Sequence, residues 1–178
     1  MVTNACTIRP GIRTAAVLLA SASFGLASMA SAQKTDDDTL VVSAAVTSNC
    51  HLTGGTIPFG DIDVTLGREV DHDGSLIVRC TNGTDYSVTA DKGLGDAATV
   101  TDRKLTGTTD TNNVLKYALY KDGGHSQNWG ETAGSDDIVG QGTGIDQPYT
   151  IYGRVLANQP TVKKDTYGDT VTVTVTYN

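Results

Sequence analysis

The sequence predicts an all-β protein with the architecture of an immunoglobulin-like antiparallel β-sandwich. Apolar and polar residues alternate with a period of two along several short segments rich in Val, Ile, Thr and Tyr. Turn residues separate these segments, and the chain contains 20 glycines. No window shows the 3.6-residue period of an amphipathic helix. Short strands at this spacing, in a chain of ordinary domain length, are typical of such sandwiches.

The first 32 residues have the pattern of a secretory signal peptide. Arg9 and Arg13 precede a mostly apolar run from Thr14 to Leu26, and residues 30–32 form a cleavage site of the A-x-A type. The apolar run is too short to span a bilayer, and no later segment is long enough. We therefore expect an exported mature chain of residues 33–178, without a membrane span.

Seven segments of the mature chain are predicted as strands, each bounded by Gly, Asn or Asp. They are Leu40–Leu52, Thr56–Phe59, Ser75–Cys80, Tyr86–Ala90, Leu115–Tyr120, Tyr149–Leu156 and Asp169–Tyr177. The sequence T-N-G-T-D at 81–85 is expected to form a hairpin turn. Residues 92–113 and 122–147 are rich in Gly, Asp and Thr, and we expect long loops or ragged edge strands there.

Cys50 and Cys80 are predicted to form a disulfide. The third cysteine, Cys6, lies in the leader, so an even pair remains in an exported chain that meets an oxidising environment. The net charge of −7 becomes −9 once the two leader arginines are removed. No basic cluster is present, which argues against nucleic acid as a partner.

The sequence offers no constellation for catalysis, and we expect neither an enzyme nor a bound cofactor or metal. The three histidines, His51, His72 and His125, are too few and too scattered for a metal site. No G-x-S-x-G motif is present. The sequence D-H-D-G at 71–74 is better interpreted as a solvated turn than as a metal loop, and G-Q-G-T-G at 140–144 as a flexible loop.

Several aromatic residues allow a second interpretation, a sugar-binding platform. These residues are Tyr117, Tyr120, Trp129, Tyr149 and Tyr152. Packing in the core and at sheet edges explains tyrosines on strands more simply.

Both ends of the mature chain alternate strictly. Near the start one face is wholly apolar and the other is mostly small or polar; the apolar face consists of Leu40, Val42, Ala44 and Val46. Near the end Thr170, Thr172, Thr174 and Thr176 are expected to face outward, and Val171, Val173, Val175 and Tyr177 inward. If the first sandwich strand is Val46–Leu52, residues 39–45 are surplus. We therefore expect residues 33–45 to be an acidic leash with an N-terminal donor strand, and residues 46–178 to be the sandwich domain.

A set of short motifs resembles the spore coat protein U domain family, the subunits of archaic chaperone–usher pili in Gram-negative bacteria. In chain order the motifs are L-x-V-x-A-x-V before Cys50, I-P-F-G (57–60), V-R-C-T-N-G-T-D-Y-S-V (78–88), R-K-L (103–105), L-K-Y-A-L-Y-K-D (115–122), N-W-G (128–130), I-Y-G-R-V (151–155) and Y-G-D-T-V-T-V-T-V-T-Y (167–177). Asn178, after the last aromatic residue, departs from the pattern.

The resemblance implies a sandwich that lacks its final strand and is open along a groove. A periplasmic chaperone would fill the groove first, and at the outer-membrane usher the N-terminal segment of the next subunit would replace the chaperone. The donor residues would be Leu40, Val42, Ala44 and Val46. Val171, Val173, Val175 and Tyr177 would help to line the acceptor groove. The expected product is a surface fimbrium that supports adhesion and biofilm formation.

A different class of protein fits the same strands. In a self-contained secreted binding module, for example one that binds carbohydrate, the first strand would fold back into its own groove and give a stable monomer. A tip adhesin is a third interpretation, but such proteins usually carry a receptor-binding domain before the pilin domain, and the mature chain is too short for one.

Overall fold

The computed structural model describes residues 33–178, and the predicted signal peptide, residues 1–32, lies outside the described residues. The chain divides after Ser43 into two units. In the first unit, residues 33–43 contain neither helix nor strand, and their side chains are exposed. All the strands described below belong to the second unit, residues 44–178.

Nine strands are present among the described residues, together with one short 3-10 turn at Val64–Leu66. The strands are β1 (Cys50–Thr53), β2 (Val70–Cys80), β3 (Asp85–Ala90), β4 (Arg103–Gly107), β5 (Val114–Tyr120), β6 (Ile138–Gln141), β7 (Gln147–Val155), β8 (Tyr167–Gly168) and β9 (Val173–Tyr177). No helix within residues 33–178 has the length and apolar character needed to cross a membrane.

The strands form two antiparallel sheets. The large sheet has six strands in the order β1-β2-β7-β5-β4-β8, and the small sheet has three in the order β6-β3-β9. The predicted all-β, immunoglobulin-like class is therefore confirmed. Four predicted strands, Ser75–Cys80, Tyr86–Ala90, Leu115–Tyr120 and Tyr149–Leu156, coincide largely with β2, β3, β5 and β7.

The core lies between the inner faces of the two sheets. Alternation puts every second residue of a strand on one face, so β2 buries Leu76, Val78 and Cys80 while Arg79 stays exposed. The complete buried cluster consists of Leu76, Val78, Cys80, Tyr86, Val88, Ala90, Leu115, Tyr117, Leu119, Trp129, Ile151 and Val155.

Three predicted strands are wrong or shortened. Of Asp169–Tyr177, only Val173 to Tyr177 forms a strand, β9. Of Leu40–Leu52, only Cys50 to Leu52 lies in a strand, because β1 begins where Cys50 pairs with Cys80. Residues 56–59 form no strand. Ile57 and Phe59 instead pack on the face of the large sheet, and the ring of Phe59 lies 6.1 Å from that of Tyr117.

The predicted hairpin at residues 81–85 is also wrong. The tight turn exists, since Thr84 N–H donates to the Thr81 carbonyl at 3.0 Å and Gly83 has φ +83°. The strands on either side, however, belong to different sheets. The turn is hydrogen-bonded to Gly142 on both sides, through Gly83 N–H to the Gly142 carbonyl and Gly142 N–H to the Thr84 carbonyl. It is thus a corner between sheets.

Three polar stretches contain more regular structure than expected. The predicted turn D-H-D-G at 71–74 is part of β2, where Asp71 accepts two hydrogen bonds from Arg154 of β7. The predicted loop at 140–144 begins inside β6. Within residues 92–113, β4 is an internal strand between β5 and β8 and not a ragged edge.

The disulfide between Cys50 and Cys80 is present, which confirms that prediction. It joins the first residue of β1 to the last residue of β2, and the two cysteines are also direct partners in the strand register. The disulfide therefore fixes the start of the sandwich to a fully buried position of the core, since Cys80 is buried.

Candidate functional site

A groove of about 1050 Å³ opens onto the inner face of the large sheet. One wall is the coil of residues 54–64, and the other is residues 162–173, which include β8 and lead into β9. Apolar side chains line it from both walls and from the floor: Ile57, Phe59, Ile62, Val64, Leu76, Leu105, Leu115, Tyr117, Leu119, Trp129, Ile151, Val162, Tyr167, Val171 and Val173. We refer to this feature as the groove.

The floor of the groove is part of the hydrophobic core. Leu76, Leu115 and Ile151 line the groove and belong to the buried cluster, and so does Trp129. The indole N–H of Trp129 donates to the Val88 carbonyl of the small sheet at 3.0 Å, which holds its ring in place. An apolar chain lying in the groove would therefore pack directly on the core.

The edge strand of the small sheet, β9, begins at the groove, which its first residue, Val173, lines. β9 pairs with β3 from Val173 opposite Ala90 to Tyr177 opposite Tyr86, and within residues 33–178 no strand pairs with its other edge. An edge of this kind presents unpaired N–H and C=O groups that can accept a further strand. The groove thus combines an apolar surface with a backbone edge.

The four predicted acceptor residues do not all lie at the groove. Val171 and Val173 line it. Val175 packs against the core without lining the groove. Tyr177 is 37% exposed at the far end of β9, where its hydroxyl donates to Asn49 Oδ1 at 3.4 Å. The four threonines predicted to face outward, at 170, 172, 174 and 176, are all exposed.

Hydrogen bonds from side chains fix the chain that leads into β9. The Tyr117 hydroxyl on the groove floor donates to Asp169 Oδ2 at 2.7 Å, and Asp91 Oδ1 accepts from Thr172 N–H at 2.9 Å. Burial, together with the hydrogen bond and the charge of Asp169, raises the pKa of Tyr117. Burial acts to raise the pKa of Asp91, but the hydrogen bonds from Gly93 and Thr172 outweigh it and the pKa is lowered.

Arg103, at the start of β4, is the largest fully buried side chain. Its guanidinium donates to the carbonyls of Ala90, Asp91, Val100 and Trp129 at 2.6–3.1 Å. Burial lowers its pKa, while Tyr117 and the aspartates around it act in the opposite direction. An arginine remains charged under these conditions, so this is a buried cation that is stabilised mainly by backbone carbonyls.

The predicted donor residues lie at the surface of the chain. The side chains of Leu40, Val42 and Val46 are 85–89% exposed, and Ala44 is exposed as well. Val41, on the opposite face of the alternating pattern, is equally exposed at 85%. No strand includes these positions. Large apolar side chains this exposed are unusual outside interaction sites.

The aromatic residues considered as a sugar platform do not share one exposed surface. Tyr117 and Trp129 are buried in the core. The hydroxyl of Tyr149 is hydrogen-bonded to that of Tyr86 at 2.7 Å. Tyr120 and Tyr152 pack edge-on against His125. The described residues contain no group of three His, Cys, Asp or Glu side chains able to hold a metal ion.

Most residues of the groove were missed by the sequence prediction, which named only Val171 and three residues of β9. The floor is built mainly from alternate residues of β2, β5 and β7, which were predicted correctly, and the family resemblance implied that the core is open along a groove; the residues of its two walls were not predicted. The wall at residues 54–64 contains the I-P-F-G motif. The alternation of Ile57 and Phe59 was a usable signal for a buried face, although it was assigned to a strand.

The chain was compared with known proteins. Residues 36–174 match the Spore Coat Protein U domain. None of the curated protein sequences matches significantly. Among solved structures, one match is the CsuC–CsuE complex of a chaperone and a tip adhesion subunit from the archaic chaperone–usher Csu pili of Acinetobacter baumannii, with a TM-score of 0.51 and 22% identity. The match covers 73% of this chain and 40% of the solved chain, so this chain spans less than half the length of that relative.

A second solved structure concerns the AAF fimbriae of enteroaggregative Escherichia coli, described for fibronectin binding and biofilm formation. It matches with a TM-score of 0.27 and 13% identity, and covers 72% of this chain and 97% of the other. This likeness is too low to bear on the fold. The Csu likeness agrees with the two-sheet sandwich described above. Because the domain match extends over nearly all the described residues, the chain belongs to the Spore Coat Protein U domain family.

Proposed function

We propose that the protein is a structural subunit of a chaperone–usher surface pilus that polymerises by donor-strand complementation and supports adhesion and biofilm formation. The observation that carries the proposal is the groove, whose floor is part of the hydrophobic core and which reaches the edge strand β9 at Val173. The same chain carries an alternating apolar segment, residues 40–46, with exposed side chains. The two features are complementary in chemistry.

In the proposed joint, residues 39–46 of one subunit form a strand in the groove of the next. A strand rises about 3.3 Å per residue, so Leu40 to Val46 spans roughly 20 Å. Its alternate side chains, Leu40, Val42, Ala44 and Val46, would point to the groove floor, and its backbone would pair with β9. Strand addition of this kind, including chaperone–pilin complementation, is an established mode of recognition.

The expected strength of the joint is sufficient for a non-covalent fibre. Burial of Leu40, Val42 and Val46 contributes roughly 1.5 to 3 kcal/mol for each side chain. Each hydrogen bond of the new ladder adds about 0.5 to 1.5 kcal/mol. The loss of conformational entropy when the donor segment becomes ordered opposes these two contributions. A long and regular ladder of hydrogen bonds therefore favours a durable joint.

The proposal also defines the partners. An open apolar groove and an unpaired strand edge favour aggregation, so a periplasmic chaperone would cover the groove before an outer-membrane usher joins the subunits. The Csu relative was solved in complex with its chaperone. The protein would pass through the periplasm to the surface of a Gram-negative cell, with neighbouring pilus subunits as its permanent partners.

The proposal is tested by Val42→Asp, with Val41→Asp as the matched control. The two valines are equally exposed in the single chain, but only Val42 lies on the face predicted to enter the groove. We expect Val42→Asp to abolish fibre formation, because a carboxylate would be buried against the core. Val41→Asp should assemble. Fibre yield from cells that carry the chaperone and usher is the measurement, with chaperone binding checked by co-purification.

Equal fibre yield from both variants would refute the proposal. The alternative, a self-contained binding module, predicts that neither the parent nor either variant assembles, and that Val42→Asp destabilises the monomer while Val41→Asp does not. The structure gives this alternative no specific support, because two of the five candidate sugar-binding aromatics are buried in the core.

A further inference from the structure

We propose that Arg103 is the positioning residue of the groove: it fixes the chain that leads into β9 at the spacing a donor strand requires. This inference rests on the proposed function and goes beyond it, since it assigns the preformed shape of the groove to one buried cation. Charged residues that line the groove, such as Asp165 and Asp169, lie on its walls. Arg103 instead occupies a core position behind the apolar surface.

The contacts of Arg103 link the two sheets. Its backbone belongs to β4 in the large sheet, while Ala90, whose carbonyl it binds at 3.1 Å, ends β3 in the small sheet. The same Nη2 atom also donates to the Asp91 carbonyl at 2.8 Å and to the Trp129 carbonyl at 2.8 Å. The planar guanidinium therefore sets the distance between the sheets at one place, beside the groove floor.

Asp91 transmits this position to the groove wall. Its carbonyl accepts from Arg103 Nε at 2.9 Å, and its carboxylate accepts from Thr172 N–H at 2.9 Å. Its own N–H donates to the Thr172 carbonyl at 3.0 Å. Thr172 stands between Val171 and Val173, the two predicted acceptor residues that line the groove. The path from Arg103 to the acceptor edge thus consists of direct hydrogen bonds.

A positioning role explains why a cation is present in the core. An empty apolar groove would shrink if its walls could approach each other, because that would remove apolar surface from water. Apolar side chains at position 103 would allow such an approach, since their contacts have no fixed direction. A guanidinium that donates to four carbonyls from three chain segments resists it, because each hydrogen bond depends on distance and angle. We therefore expect Arg103 to matter most while the groove is empty.

The test uses the mature chain, residues 33–178, with Val42→Asp to prevent self-assembly, and a fluorescent peptide of residues 36–48 as the probe. Arg103→Lys keeps the charge but loses the planar fork, and Arg103→Met removes both. Lys104→Met is the control on the next position of β4, where Nζ binds only the exposed carbonyls of Asp96 and Ala97. Peptide binding is followed by fluorescence anisotropy.

We expect Arg103→Lys to slow peptide binding at least tenfold and Lys104→Met to leave it unchanged. Hydrogen exchange in residues 169–175 should be faster in Arg103→Lys than in the parent, but only while the groove is empty. With the peptide bound, Arg103→Lys should have a melting temperature within a few degrees of that of the peptide-bound parent. Arg103→Met should bind the peptide more slowly than Arg103→Lys. If Arg103→Met does not fold, the binding rate of Arg103→Lys is sufficient for the test.

Two results would overturn the inference. One is peptide binding by Arg103→Lys at the parent rate. The other is a uniform rise in hydrogen exchange over both sheets of Arg103→Lys, together with a loss of melting temperature that is as large in the peptide-filled form as in the empty form. That result would mean that Arg103 stabilises the whole domain and does not position the groove. If the parent itself takes up no peptide, the proposed function is wrong, and the role of Arg103 falls with it.

Discussion

Asp165 fixes a loop at one end of the groove wall through its carboxylate. It accepts hydrogen bonds from the backbone N–H groups of Thr109, Asp110 and Thr166 at 2.8–3.3 Å. Desolvation acts to raise the pKa of Asp165, but these hydrogen bonds together outweigh it and lower the pKa from 3.8 to about 2. The charged form is therefore favoured by folding.

The depressed pKa of Asp165 gives a stability prediction with a definite sign. Because the folded pKa lies below the unfolded value, the contribution is present above about pH 4 and is lost as the pH falls toward 2. Asp165→Asn should have a lower melting temperature than the parent at pH 7. Between pH 4 and pH 2, the melting temperature of Asp165→Asn should fall by less than that of the parent. Thermal melts of the mature chain by circular dichroism measure both effects.

The control for this prediction is Asp73→Asn. Asp73 is an exposed residue of β2 whose carboxylate accepts no hydrogen bond within residues 33–178. Its substitution should leave the melting profile of the parent unchanged at every pH. A profile for Asp165→Asn that runs parallel to the parent from pH 7 to pH 2 would show that this carboxylate is not a source of the acid sensitivity.

Arg103 shows where reading the sequence by hydrophobicity fails at the level of single residues. β4 buries its first and last residues, Arg103 and Gly107, and leaves the three between them half-buried. A pattern of apolar positions cannot predict that a cation is the largest fully buried side chain. The acceptors that make this possible are backbone carbonyls, which have no sequence signature.

Among the elements, β1 depends on the disulfide for its attachment. It has four residues and pairs only with β2. We expect Cys50→Ala/Cys80→Ala to lower the free energy of unfolding by roughly 3 to 4 kcal/mol, because the unfolded chain regains the freedom of a loop of about 30 residues. Urea unfolding of the mature chain measures this. Reductant should destabilise the parent but not the double variant; an equal response of both would contradict the assignment.

The coil that forms one wall of the groove packs closely on β7. A Cβ atom at Gly153 would lie 2.9 Å from Ile57 Cγ2 and Phe59 Cζ, and 3.0 Å from the His72 carbonyl. Gly153→Ala should therefore displace the wall and cost about 1 to 3 kcal/mol in urea unfolding. Gly54→Ala, where nothing lies within 4 Å of the added atom, is the control and should change stability by less than about 0.5 kcal/mol. Equal effects would contradict the packing described.

The sequence predicted the four longest strands but missed β4 and β6 as well as the irregular elements. Alternation located β2, β3, β5 and β7, because each buries one face against a single core. It failed at residues 56–59, where alternate burial of Ile57 and Phe59 arises in a coil that lies on a sheet. It also missed β8, whose two residues are too few for any period, and it could not tell a corner at residues 81–85 from a hairpin, since both need the same turn chemistry.

Subunits joined in the proposed way would form a filament. If the front segment of one subunit occupies the groove of another, each contact joins two different surfaces. Contacts of this kind continue from copy to copy unless a rotation closes them into a ring. The sequence alone suggests a candidate donor, because the alternating residues 40–46 form one continuous segment. The residues that form the two walls of the groove could not be predicted in the same way, because the walls are about 100 residues apart in the chain and contain little regular structure.

The most direct test of the central claim is the oligomeric state of the purified mature chain with and without residues 33–45. We expect residues 33–178 to form head-to-tail oligomers that grow with concentration, measured by size-exclusion chromatography with light scattering. The chain that lacks residues 33–45 should form no such series and should melt at a higher temperature when a peptide of residues 36–48 is added. A monomer of equal thermal stability with and without residues 33–45, indifferent to the peptide, would contradict the account.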